Sequence, residues 1–388
     1  MVNKKNSIIK ILGFGVLLLL MITVLSMLST PVKWFDQRRI QNRNARIVAL
    51  MKEPAGNIDV INLGDSLSLS GFSPMELWRA SGITSFDAGA DGLRLPEAYY
   101  ATVEAVEMQH PKVLMLETLL LFRYSVKQDN QMILSQPLYH RFAFLKYHSL
   151  WKTFVEPLGI RVYHKGYLVN ENVGPYEGDP DYMDDDVQDG GRVFIPDFNK
   201  RWLGKIKKYC DENGVQLVLY SMASAKGYNH ERVDSIEEIS DELGICYLDL
   251  NSREDLSIDW QTDTNDGGDH LNLFGARKAA VVVADFLFEN TKVTDHRGEA
   301  AYASWDEELV EYDKLVEEMV GKSFQDLTDE RRQKVREQWK KDAGRTDDGR
   351  TRSKKEREKE KKKKEEAADK ATTAGGEAAE KEETAKEQ

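Results

Sequence analysis

Between residues 58 and 290 the chain alternates short, mainly apolar runs with longer segments whose apolar residues recur at helical spacing. Ile58–Leu63 (IDVINL), Ile83–Phe86, Val113–Leu116 (VLML), Val215–Tyr220 (VQLVLY) and Ile245–Leu248 have the length of strands. Runs that stay apolar, rather than alternating with polar residues, belong to strands buried on both faces, as in a parallel sheet. Pro96–Gln109, Phe198–Asn213, His230–Leu243 and a segment at about 273–290 read as the intervening helices, and Asn213-Gly214 is a helix-stop signal. Strands alternating with helices predict an α/β domain over 57–295, a three-layer sandwich around a parallel sheet of about five strands. One stretch breaks the rhythm. Residues 120–197, between the third and fourth strands, form an insertion far longer than a crossover needs, and such excursions usually serve function.

The N-terminus follows a different pattern. Ile11–Val32 carries no charge and is long enough to cross a bilayer as a helix, after a basic segment, 1–10, with Lys4, Lys5 and Lys10. No small-residue cleavage site follows it and Pro31 stands where a cut would fall, so a retained anchor over 11–32 is expected rather than a removed signal peptide. Residues 33–56 read as a polar helical stem. Lys33, Arg38, Arg39, Arg43 and Arg46 outnumber the lysines before the span, and simple positive-inside counting puts the large domain in the cytoplasm.

Charge changes the picture at the other end. The chain of 388 residues has 31% charged residues and a formal net charge of -12, with the excess of charged residues concentrated near the C-terminus. The segment 296–345 predicts an exposed charged helix or two, and 346–388, rich in Lys, Glu, Ala and Thr, predicts a disordered tail unable to build a core. The acidic balance, with no basic patch legible in the middle of the chain, argues against a nucleic-acid partner. The acidic loop Asp179–Asp189 lacks the spacing of an EF-hand and reads as solvated, so no metal and no cofactor are expected. Cys210 and Cys246 read as two buried thiols rather than a disulfide scaffold.

Candidate chemistry lies in two segments. The first strand runs into Asn62-Leu63-Gly64-Asp65-Ser66, which places Ser66 at the carboxyl edge of the sheet, where open α/β folds bind their ligands. Far downstream comes Asp266-Gly267-Gly268-Asp269-His270-Leu271-Asn272, followed by an amphipathic helix. A serine nucleophile needs a base to take its proton, and the base needs a carboxylate to hold its tautomer. His270 is the candidate base. Asp266 and Asp269 are the candidate acids, with Asp266 preferred because a turn through Gly267-Gly268 can fold it back onto the imidazole, whereas adjacent side chains rarely face each other.

Together the two segments resemble the GDSL/SGNH hydrolase superfamily over roughly residues 57–290. The similarity extends to its membrane-anchored bacterial branch through Leu95-Pro96-Glu97-Ala98-Tyr99-Tyr100 and Asp266–Ala276. The resemblance implies a flavodoxin-like SGNH fold and a serine esterase or O-acyltransferase outside the cytoplasmic membrane. It implies a cell-surface glycan or acylated polymer as substrate, and a polytopic membrane O-acyltransferase as partner. It also implies an oxyanion hole made by the backbone N–H groups of Ser66 and Gly89. The family's G-x-N-D block is absent, because the third strand leads into Leu116-Glu117-Thr118-Leu119, and Thr118 is the substitute donor to be tested. The spacing also departs, since Gly267 stands three residues before the histidine. A catalytically reduced, glycan-binding or assembly role is the alternative these departures leave open.

Overall fold

The computed structural model describes residues 4–29, 43–154, 161–179, 181–188 and 190–320. Five strands, β1 (Val60–Leu63), β2 (Ser85–Asp87), β3 (Val113–Glu117), β4 (Gln216–Ser221) and β5 (Cys246–Asp249), form one all-parallel sheet in the order β2-β1-β3-β4-β5. Every residue of β1, β2 and β3 is buried, the polar Asn62, Ser85, Asp87 and Glu117 included, as befits strands covered on both faces. Chain order reverses direction between β1 and β3, and this crevice at the strands' carboxyl ends is where such sheets place a ligand.

The helices are α1 (Lys4–Leu28), α2 (Ala45–Leu50), α3 (Ser66–Gly71), α4 (Pro74–Ser81), α5 (Leu95–Gln109), α6 (Val126–Arg141), α7 (Ala143–Tyr147), α8 (Asp197–Glu212), α9 (His230–Leu243), α10 (Leu273–Asn290) and α11 (Ala303–Val320). Helices α3, α4 and α10 pack together, as do α5, α8 and α9, giving the three-layer sandwich. Their ends follow local chemistry. Ser73 caps α4 ahead of Pro74, Asn229 caps α9 through the Arg232 N–H, and Gly244 ends α9 in the left-handed conformation at φ 61°.

Two expectations are corrected by packing. The stem assigned to 33–56 is not polar throughout: Ala45, Ile47, Val48, Ala49 and Leu50 of α2 are buried in the core beside α5. The charged segment 296–345 is not simply exposed either, because α11 buries Trp305 and Tyr312 against α4. Trp78 and Trp305 lie 5.4 Å apart, the Trp78 indole donates to Asp306 at 3.0 Å, and Arg79 pairs with Asp313. Widely spaced aromatic residues in a charged helix are enough for one buried stripe. The tail expected from 346 onward lies outside the described residues. The two cysteines are free thiols, and burial pushes Cys210 up to about 12.

Helix α1 is apolar over Ser7–Leu28, long enough to cross a membrane, and unburied. The insertion after β3 begins with a 3-10 turn, Leu119–Phe122, then α6, which packs on α5, and α7, which packs on α1. Its later part returns across the carboxyl edge of the sheet, where Lys165 accepts a hydrogen bond from the Asp87 N–H at 2.9 Å. Gly166, at φ 90°, lies so close there that a β-carbon would fall 1.9 Å from the Asp87 carbonyl oxygen.

Candidate active site

The chain leaves β1 through Gly64, where a β-carbon would stand 2.4 Å from that of Ser68 and 2.5 Å from that of Glu117. Only glycine fits this exit. Asp65 is buried; one of its oxygens accepts the Leu67 N–H at 3.1 Å and caps α3, while the other receives Arg123 at 2.7 Å from Nε. The acid of the G-D-S segment is thus occupied by a helix cap and an ion pair. Ser66, as the first residue of α3, projects its hydroxyl at the sheet's carboxyl edge.

The loop before α10 brings the other two groups. A short antiparallel bridge joins Thr264 to Leu271, and the carbonyl of His270 accepts both the Asn265 N–H (3.0 Å) and the Thr264 hydroxyl (2.8 Å). Gly267 and Gly268, at φ 77° and 92°, reverse the chain between them. Asp266 is carried back onto His270: one oxygen accepts the His270 N–H at 2.9 Å and the other meets Nδ1 at 2.5 Å. The far ring nitrogen, Nε2, lies 2.8 Å from the Ser66 hydroxyl. Asp269 stands 3.5 Å from Nδ1, outside hydrogen-bonding range, and adds charge without orienting the ring.

This arrangement has a readable electrostatic balance. Burial of the imidazole opposes its charged form, but the Asp266 hydrogen bond and the charges of Asp269, Asp266 and Asp65 outweigh it, and His270 sits above its ordinary value. Burial likewise works against an ionised Asp266, yet hydrogen bonds from the His270 ring and backbone, with the charges of His270 and Lys226, hold it below the usual carboxylate range. The base therefore takes up a proton readily and keeps it, and the acid stays ionised to stabilise the imidazolium. Asp266, Asp269 and His270 also have ligand atoms within 4.8 Å of one another, the spacing of a cation site. The proton relay accounts for that cluster, since Nδ1 is taken by Asp266 and Nε2 by Ser66.

The insertion braces the loop, a role that sequence reasoning missed. Gly174 N–H donates to Thr264 (2.9 Å), Gly267 N–H donates to Gly174 (2.8 Å), and Leu273 N–H donates to Asn170 (2.8 Å). Asn272 caps α10, accepting from Phe274 N–H at 2.9 Å, and its amide donates to Asn172 (2.9 Å) and Thr262 (2.8 Å). An asparagine directly before an amphipathic helix is a legible cap; its grip on the insertion is not. Ser66 and His270 open into a cavity of about 590 Å³ that the insertion walls with Tyr163, Leu168 and Asn170.

The candidate oxyanion donors fare differently. Gly89 packs on the β1 exit, where a β-carbon would be 2.6 Å from the Gly64 carbonyl oxygen, and its N–H makes a long, 3.3 Å hydrogen bond to Asp87. Thr118 is buried and its hydroxyl is committed to Ser221 (2.7 Å) and Tyr228 (2.9 Å), so it is not offered to an oxyanion. Beneath the site lie two acids that the sequence did not single out. Burial, reinforced by the charge of Asp65 and offset in part by bonds from Tyr228 and the Leu119 N–H, pushes Glu117 up to about 8. Burial, outweighing Arg46, the Gly89 N–H, Asn62 and Ser68, pushes Asp87 up to about 6.

The chain is thus an α/β protein with a doubly wound sheet, and a serine, a histidine and a carboxylate are hydrogen-bonded in series at its switch point. The solved structures that the chain resembles include a GDSL-like lipase and a lipase/acylhydrolase. A lipase/acylhydrolase from Enterococcus faecalis is 12% identical, with 61% of this chain and 98% of that chain covered and a TM-score of 0.34. A GDSL-like lipase from Bacteroides thetaiotaomicron is 8% identical, with 59% and 87% covered and a TM-score of 0.31. No family model and no curated protein matches the chain. No residue's role is carried over from likenesses this low, and the reading of the site rests on strand order and hydrogen-bond geometry.

Proposed function

We propose that the protein is a membrane-anchored serine esterase or O-acyltransferase that works outside the cytoplasmic membrane on acyl esters of a cell-surface glycan or cell-wall polymer. The observation that carries the reading is the hydrogen-bonded series Ser66, His270, Asp266. Ser66 Oγ attacks the acyl carbonyl while His270 Nε2 takes its proton, and the carbonyl oxygen becomes an oxyanion supported by the N–H groups of Ser66 and Gly89. Collapse expels the alcohol, which leaves with the proton from His270, and an acyl-serine ester remains. Water or a sugar hydroxyl, deprotonated by the same imidazole, then attacks that ester and releases Ser66. A polytopic membrane O-acyltransferase as acyl supplier belongs to this reading, as does α1 as a retained anchor.

A second reading, a catalytically reduced glycan-binding or assembly factor, is favoured by one observation: Thr118, which stands in place of the third oxyanion donor, is engaged elsewhere. Labelling of the full-length chain by a fluorophosphonate probe separates the two. The enzymatic reading expects stoichiometric labelling that is lost in Ser66→Ala; an unlabelled, folded wild type gives way to the binding role.

A further inference from the structure

Helix α6 is inverted relative to an ordinary surface helix. The side toward the protein is mostly polar: Gln128, Gln131, Ser135 and Tyr139, with Met132 among them, help wall a cavity of about 530 Å³ between α5 and α6. The other side carries Val126, Ile133, Leu134, Pro137 and Leu138 at helical spacing, with Lys127, Asn130 and Arg141 interspersed. Leu134 is 73% exposed, Val126 62% and Leu138 49%. A globular helix turns its apolar stripe inward, so an outward stripe requires a cover. The exposed charges on α6 are all basic, Lys127, His140 and Arg141, while its carboxylate, Asp129, is buried and bound by Arg94 at 3.1 Å. Exposed apolar side chains with basic residues set among them suit a lipid headgroup boundary, where the long basic chains reach the headgroups.

What adjoins α6 decides what covers it. Phe142 ends α6 and starts α7, and α7 packs on α1 near its end, with the Phe144 N–H donating to Ser26 Oγ at 3.3 Å. A single short helix thus separates the outward stripe from the end of the apolar, unburied Ser7–Leu28 segment. We propose that α6 is an interfacial helix that lays its Val126–Leu138 face on the lipid surface from which α1 emerges. The inference rests on the reading of α1 as a retained anchor. Its consequence concerns the site: the α6 cavity shares Arg43 and Ala90 with the Ser66 cavity, so docking α6 holds a route to Ser66 against the bilayer, where an acyl donor or a lipid-linked polymer would be met.

Site-directed spin labelling of the full-length protein in phosphatidylcholine/phosphatidylglycerol nanodiscs tests this, with Cys210 and Cys246 replaced by alanine. Single nitroxides are placed through Leu134→Cys on α6, Leu17→Cys in α1 and Lys208→Cys on α8, and their collision rates with oxygen and with a nickel chelate are compared. Position 17 is expected to be oxygen-rich and nickel-poor, position 208 the reverse, and position 134 intermediate, at a depth of about 5–10 Å. A label at 134 as nickel-accessible as that at 208, with 17 still in lipid, overturns the inference alone. An aqueous label at 17 removes the anchor and the inference with it. Shielding of 134 from both reagents, with dipolar broadening, assigns the face to a second copy of the chain and also overturns it.

Discussion

Replacing Asp266 by asparagine tests the site most sharply, because the two candidate acids differ by one measurable contact. Asp266 meets His270 Nδ1 at 2.5 Å and also accepts the His270 backbone N–H, whereas Asp269 is 3.5 Å from the same nitrogen. A hydrogen bond to a charged partner contributes about 1.5–3 kcal/mol. Asp266 is partly exposed, so the low end applies, and losing this bond lowers the affinity of His270 for its proton. Ester hydrolysis needs neutral imidazole, so kcat/KM should rise with pH through an inflection above the ordinary histidine value. In Asp266→Asn that inflection should fall. The asparagine also ceases to hold the reactive tautomer, for which an analogous triad change costs about 10⁴ in kcat. With Asp269 left to stabilise the imidazolium at a distance, a loss of about 10³–10⁴ is expected, against less than about tenfold for Asp269→Asn. The assay is p-nitrophenyl acetate hydrolysis by the full-length protein across pH 5–9. If Asp269→Asn is the crippled variant, or Asp266→Asn moves neither rate nor inflection, the assignment of the acid is refuted.

If Ser66 and His270 act as one unit, Ser66→Ala, His270→Ala and the double variant should share a similar residual turnover, and strictly additive losses count against the relay. Glu117 has a folded-state pKa of about 8, raised above the ordinary 4.5. The stability contributed by its neutral form is present below about pH 4.5 and lost as pH rises through 8, so Glu117→Gln should gain in Tm over the wild type between pH 5 and 9. Parallel Tm curves for the two proteins exclude that account. Trp305 is fully buried against Trp78, and Trp305→Ala should lower stability by about 3–5 kcal/mol in urea unfolding; a loss below about 1 kcal/mol means that α11 does not dock.

Much of the fold was legible because its signals are local. The mainly apolar runs at 58–63 and 113–116 are what strands buried on both faces require, and a stop signal such as Asn213-Gly214 acts within a turn of itself. Where local composition misled, a few residues outweighed many: α2 was read with its polar neighbours as a stem, and α11 was read as exposed because Trp305 and Tyr312 are sparse among charges. Neither partner surface, α5 for the one and α4 for the other, is adjacent in sequence.

The site divides along the same line. Residue type and spacing singled out Ser66 and His270 and restricted the acid to Asp266 or Asp269, since a hydroxyl after a buried strand and an imidazole among carboxylates carry their chemistry with them. The contact that separates 2.5 Å from 3.5 Å depends on how Gly267 and Gly268 turn and on how Asn170, Asn172 and Gly174 of the insertion grip the loop. The burial that raises Glu117 and Asp87, and the engagement of Thr118 by Ser221 and Tyr228, arise from strands and loops far apart in the chain. Hydrogen bonds and desolvation act over a few ångströms, so residues distant in sequence exert them only after the sheet has closed.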